Sequence, residues 1–234
     1  MTAILKKELK SYFMSPIGYV FVGAFLLINT FFFVSYQIAY SVADTKALFS
    51  NVNVIFLFLI AILTMRSLSE EKNKKTDQLL LTAPVKVSEI VLGKYLASFG
   101  VFLISLALSL MFPIILFIFG NPSFSECIGG YIGFILLWSA LISVGIFISA
   151  LTENQMISAI FTFSVLLLLS YTDTIAGSIE NQLISGILIR LSLFGRYTDF
   201  TMGILDFSDV VFFISFTALF LFLTVKVVEK RRYS

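Results

Sequence analysis

The run YLASFGVFLISLALSLMFPIILFIF, residues 95–119, carries no charged side chain from end to end. Roughly 17–25 helical residues cross a hydrocarbon core of about 30 Å, and this run is that long. Its apolar residues are continuous rather than alternating, which excludes the strand pattern of a membrane β-barrel. A chain in lipid must satisfy its own backbone hydrogen bonds, so the run reads as a transmembrane helix. Pro113 lies inside it and predicts a kink.

Working outward, five further runs read the same way: Ile17 to about Tyr40, about Phe49 to Met65, Gly130 to Leu151, Met156 to Tyr171, and Val210 to Val228. The fifth span in chain order, from Met156, is the shortest, and a re-entrant segment would have the same pattern. No Asp, Glu, Lys or Arg falls well inside any span. The expected fold is all-α: six transmembrane helices in one membrane domain covering residues 1–234.

Composition agrees. Of 234 residues, 59% are hydrophobic and 13% charged, with a mean hydropathy of +1.00. A soluble domain carries about twice that charged fraction. The single cysteine, Cys127, excludes an internal disulfide, and the absence of histidine removes HExxH metalloprotease chemistry. Gly93-Lys94 lacks the remainder of a P-loop, so this chain has no P-loop of its own. Ion-coupled transport normally places ionisable residues near the bilayer midplane, and the spans have none. Asn29 and Gln37 are polar residues of the kind that bond across helices. Gly129 with Gly133, and Gly145 with Ser149, form small-residue steps suited to close helix packing. The 27 phenylalanines suit lipid contact and packing and do not specify a cargo.

The basic residues set the orientation. Six spans put both termini and the second and fourth loops on one side, with 13 of the 16 Lys and Arg residues. Only Lys46, Arg190 and Arg196 fall opposite. By the positive-inside rule both termini are cytoplasmic. The run from Ile17 exceeds the apolar core of a cleaved signal peptide, despite the small residues Ser41 and Ala43 that follow. Before it, Ile4, Leu5, Leu9, Tyr12 and Phe13 share one helical face and Lys6, Lys7 and Lys10 lie towards the other. Residues 1–16 therefore read as an interfacial helix with lysines towards anionic headgroups, ended by Pro16.

Residues 66–94 hold ten of the chain's thirty charged residues (16 basic plus 14 acidic). A charged first half is followed by the apolar knob Leu79-Leu80-Leu81, a stop at Pro84, and a fresh helix start near Ser88-Glu89. An apolar knob flanked by charge is what a docking element needs. The leucines could equally pack on the protein's own interfacial surface, and the pattern leaves both open. Opposite, residues 172–209 form a semi-polar outer loop. Ile184, Ile187, Leu188, Leu191 and Leu193 make it amphipathic, and Arg190 and Arg196 are candidates for an anionic substrate or a lipid headgroup.

The pattern Arg66, Glu70-Glu71-Lys72, Thr76-Asp77, Leu79-Leu80, Pro84-Val85, Glu89-Ile90-Val91 and Lys94 resembles the cytoplasmic loop of ABC-2 type transporter permeases. Within them it is similar to the small branch that includes gliding-motility and copper-enzyme-maturation permeases. Thr152-Glu153-Asn154 and the Arg196 to Asp206 segment fit as well, so the resemblance covers most of the chain. Lys75 departs from it, since family members often have glycine there. The resemblance implies a plasma-membrane exporter half of type V architecture, working as a homodimer or with a similar permease. Segment 70–84 corresponds to a coupling helix seated in a separate cytosolic ATPase, two per complex. That partner would hold the ATP and Mg, leaving this chain without a cofactor, metal or catalytic residue. Coupling would fall to Arg66, Glu70, Glu71, Thr76, Leu79, Leu80 and Pro84. Glu70 and Glu71 would pair with the ATPase or clamp Arg66, and Leu79 and Leu80 would be the buried contacts. Short re-entrant helices over 172–209 are implied too. Membrane lipids are further partners; nucleic acid is not.

An alternative is a non-transporting membrane partner whose ATPase drives assembly or regulation of another machine. Glu70-Glu71 also resembles a prenyl-type protease motif, but it lies outside the bilayer, no histidine accompanies it, and no Arg follows at the right spacing.

Overall fold

Two prolines punctuate the long apolar helices, one starting a helix and one breaking it. The computed structural model of the chain describes residues 1–39, 49, 54–75, 85–120, 122–179 and 181–232. All regular structure among them is helical. Helix α1 spans Thr2–Met14, and Ser15 turns the chain into α2, Pro16–Phe32. Pro16 sits in the first turn, where its missing N–H costs nothing. Asn29 donates to the Phe25 carbonyl at 2.8 Å and Thr30 to Leu26 at 2.8 Å. Such back-bonding competes with the backbone ladder, and the helix widens directly afterwards into π-helical turns over Phe33–Ile38.

Helix α3 is Val54–Met65, the five-residue α4 is Ser69–Asn73, and α5 is Val87–Ser109. Helix α5 starts at Val87, just before Ser88-Glu89, with Lys86 at its N-cap position and no side-chain cap. Pro113 has no N–H to offer the Ser109 carbonyl, and the third apolar run breaks at Leu110 before resuming as α6, Met111–Phe119. The orphaned Ser109 carbonyl accepts from the Tyr131 hydroxyl at 3.2 Å. Helix α7 begins already at Phe124 and runs to Leu151. It is followed by α8 (Gln155–Ser170), the short helices α9 (Thr172–Gly177), α10 (Gln182–Leu191) and α11 (Leu193–Thr201), and α12 (Phe207–Arg232).

Among the described residues, four stretches are long and apolar enough to cross a membrane: Pro16–Ile38, Val87–Phe119, Phe124–Leu151 and Phe207–Arg231. Val54–Met65 and Gln155–Ser170 are shorter apolar helices. At 1.5 Å per residue, the Val87–Phe119 stretch is about 50 Å long and outruns a hydrocarbon core of about 30 Å. Its N-terminal turns therefore have room to carry polar side chains.

The centre of the bundle is α7, the most buried of the long helices. Trp138 is fully buried, stacked on Phe102 at 4.5 Å and edge-on to Phe21, Phe25 and Phe56. Aromatic pairs in such offset and T-shaped geometry add about 0.5–1.5 kcal/mol each beyond area burial. Glycines bring neighbours close to α7. A Cβ on Gly133 would run into Phe200 of α11, and one on Gly145 into Thr64 of α3. Both small-residue steps are thus filled within the chain.

Candidate functional site

The charged segment after α3 is built into the bundle at its base. Met65 ends α3 and the chain turns through Arg66, Ser67 and Leu68 into α4. The Ser149 hydroxyl, near the C-terminus of α7, donates to the Met65 carbonyl at 3.1 Å. It also accepts from the Leu68 and Ser69 amides, each at 3.1 Å. One hydroxyl thus satisfies the last carbonyl of one helix and the first amides of the next. Lys72 adds a second tie, donating to the Thr152 carbonyl at 3.2 Å.

Lys94, on α5, is the centre of the cluster. Its side chain is 2% exposed. The ammonium lies 2.9 Å from Glu71 and 3.3 Å from Glu8, and donates to the Ser67 carbonyl at 2.7 Å. Three donors meet three acceptors, which is what a buried ammonium needs. Glu70 turns the other way, 2.8 Å from Arg66 and 2.7 Å from Lys74. Arg66 in turn donates to Ser11 of α1 at 3.4 Å and to Ser15, just past its end, at 3.0 Å. Beneath them the Tyr12 hydroxyl donates to the Leu63 carbonyl and meets Ser98, both at 2.9 Å. A cavity of about 300 Å³ lies among these side chains.

Helix α1 is held there by shape as well as charge. Ile4 packs where Gly93 lacks a side chain, and Leu9 faces Gly100. The apolar face expected to lie on the membrane surface is in large part packed on α5 and α2, with Tyr12 reaching Leu63 of α3. Lys6, Lys7 and Lys10 remain exposed.

The electrostatics separate two adjacent glutamates. Burial raises the Glu70 carboxyl, but Lys74 and Arg66 together hold it below the ordinary value. At Glu71 burial wins over Lys94, aided by the repulsion of Glu8, and the carboxyl is pushed up. Burial moves the Tyr12 hydroxyl up to about 12, which keeps it a proton donor at neutral pH.

Of the residues marked in the sequence, the structure gathers Arg66, Glu70 and Glu71 here, each paired inside the chain. Thr76, Leu79, Leu80 and Pro84 lie outside the described residues. Lys75 takes φ 55°, the left-handed region where glycine is at ease, matching its departure from the resembled pattern. Glu8, Lys94 and Ser149 were not marked as cluster members. Glu8 did leave a signal, being an acid on the same helical face as Ile4 and Tyr12.

Arg190 and Arg196 sit at the opposite end of α12. Arg196 is bonded to Asp209, donates to the Arg190 carbonyl at 3.0 and 3.2 Å, and lies 4.3 Å over the Phe212 ring. The Arg190 side chain is exposed. The basic end is separate: Arg231, at the far end of α12, donates to the Ala150 carbonyl at 2.5 Å, beside the Lys72 tie.

Long apolar helices around a buried aromatic core, with a charged bracket at one end, define a multi-pass helical membrane protein. A family model for ABC-2 family transporter proteins matches residues 6–169, which takes in most of α1, all of α2 to α7 and nearly all of α8. The chain belongs to that family, and is a permease component of an ABC transporter. The family implies association with ABC ATPase subunits. No curated protein sequence matches the chain.

Proposed function

We propose that the chain is the membrane-spanning half of an ATP-driven exporter, coupled to its ATPase through residues 66–94. The observation that carries this reading is the bracket. Helix α4 is tied to α7 by Ser149 and Lys72, to α5 by Lys94, and to α1 through Arg66. A push on the segment beyond Lys75 is therefore delivered to three helices at once. Coupling needs that, because nucleotide binding can shift a bistable bundle only through contacts that differ between its two states.

In this reading the chain crosses the membrane six times with both termini cytoplasmic, α3 and α8 being the short spans. Support comes from the gathering of Lys7, Lys10, Arg66, Lys72, Lys74, Lys94 and Arg231 at one end, as the positive-inside rule requires. Thr76, Leu79, Leu80 and Pro84 belong to the coupling contact, with Leu79 and Leu80 buried in the ATPase. The tightly packed core around Trp138 favours a pathway between two permease copies rather than through one. Two ATPase subunits, holding ATP and Mg, complete the complex. Export direction follows the family resemblance, and the substrate is open.

The test is purification of the tagged chain from its native membrane in mild detergent, with mass spectrometry of what accompanies it. A near-stoichiometric P-loop ATPase, lost when Leu79 and Leu80 are both changed to Asp, supports the reading. Retention of the ATPase by that variant sinks the assigned contact. A chain that arrives alone, under conditions preserving known complexes, sinks the coupling role.

A further inference from the structure

A second, open cavity of about 430 Å³ adjoins the bracket on the outer side of α1, lined by Lys7, Lys10, Ser11, Met14, Ser15 and Arg66. Its lining holds three cations, two hydroxyls and no acid. The acids nearby are already engaged: Glu70 with Arg66 and Lys74, Glu71 and Glu8 with Lys94. Arg66 gives part of its charge to Glu70, and Lys7 stands 4.0 Å from Glu8 and Glu71. Lys10 makes no ion pair among the described residues. The Ser15 hydroxyl is spent on the Tyr12 carbonyl at 3.1 Å, so the cavity presents unspent positive charge together with one hydroxyl, that of Ser11, that can donate to an oxyanion.

We infer that this cavity binds the phosphate of an anionic phospholipid. The shared chemistry is a phosphate oxyanion, which a soluble ion could also supply. Two features favour the lipid. The cavity ends at Ser15, one residue before Pro16 opens the membrane-crossing helix Pro16–Ile38, which is headgroup depth. Met14 on its rim is 77% exposed, an apolar side chain placed where an acyl chain would begin. The inference rests on the proposed cytoplasmic side of the N-terminus and on Pro16–Ile38 as the first span, but not on the ATPase.

The experiment uses the purified full chain in detergent. Retention of phosphatidylglycerol and of phosphatidylcholine is compared by native mass spectrometry, and thermal stability is followed with each lipid and with inorganic phosphate. Phosphatidylglycerol should be retained in preference. Lys10→Gln should weaken that preference about fivefold and the Lys7→Gln/Lys10→Gln pair further, since each basic residue near an anionic surface contributes about that factor. Lys10 has no partner to lose, so its variant should melt with the wild type in phosphatidylcholine alone. If the double variant melts lower, Lys7→Arg/Lys10→Arg must keep the preference. Equal retention of both lipids, or an unchanged preference in Lys10→Gln, overturns the site. Inorganic phosphate matching the stabilisation by phosphatidylglycerol overturns the lipid assignment. Because no ATPase is present, lipid selectivity can stand while the coupling reading falls, and the reverse.

Discussion

The Lys94 ammonium lies 2.9 Å from the Glu71 carboxylate, joining the base of the charged loop to a membrane-crossing helix. The pair is nearly dry, and burial pushes the Glu71 carboxyl up despite the lysine beside it. A buried pair of this kind is weak evidence for stability and better suited to fixing position. Lys94→Met should destabilise the protein by about 3 kcal/mol, the low end for losing one partner of a buried pair. Two carboxylates, Glu71 and Glu8, would then face an apolar side chain. Glu71→Gln should cost less, because an amide oxygen still accepts from Lys94 and Glu8 remains. Thermal unfolding in detergent distinguishes them; equal losses would mean that Lys94 is not the hub.

Glu70 and Glu71 should give opposite pH signatures. The Glu70 carboxyl lies below its ordinary value of 4.5 in the fold, so its contribution is present above that pH and is lost as pH falls further. Glu71 lies above it, so ionising Glu71 costs stability as pH rises from 4.5 through the raised value. Unfolding midpoints measured across that range should lose their acid-side fall in Glu70→Gln. In Glu71→Gln they should lose the decline on the rising side. The same slope change in both variants would contradict this assignment.

How far these features were legible differs by kind. Apolar runs announced the long helices directly, since lipid leaves little choice of backbone structure. Pro113 announced the break, and Gly129, Gly133, Gly145 and Ser149 announced close packing, each through a property of the residue itself. The second and fifth runs were harder: the apolar helices described there, Val54–Met65 and Gln155–Ser170, are each shorter than the other four. The bracket was hidden because its pairs are far apart in sequence. Glu8 and Lys94 are 86 positions apart, and only the packing of α1 on Gly93 and Gly100 brings them together. Arg196 is legible as an outer-loop arginine, but its partners Asp209 and Phe212 reach it only through the fold.

Glycine positions offer a contrast between crowded and open sites. Gly145→Ala would press a methyl group into Thr64, and Gly133→Ala into Phe200. Overpacking of this kind costs about 1–3 kcal/mol. Gly186, inside α10, has nothing within 4 Å of an added Cβ. Gly186→Ala should therefore be neutral or stabilising by up to about 1 kcal/mol, the helix-propensity difference. Loss of yield and a lower melting point in the first two, but not the third, is the expected pattern. A silent Gly145→Ala would show that α3 and α7 are not in this close contact.

Tyr131 supplies the hydrogen bond that Pro113 withholds from the Ser109 carbonyl, so the two residues should be energetically coupled. Tyr131→Phe removes the donor and leaves a carbonyl without its helical partner, at a cost of about 1 kcal/mol. In Pro113→Ala the new backbone N–H can take the same carbonyl, closing the gap in α5 and α6. Tyr131→Phe made in that background should then cost less, with a coupling energy of about 0.5–1 kcal/mol. A double-mutant cycle of unfolding free energies in detergent measures it. If Tyr131→Phe costs the same with and without Pro113, the hydroxyl is not filling the vacancy that the proline creates. Its contact with the Ser109 hydroxyl at 3.5 Å would then be the more important one.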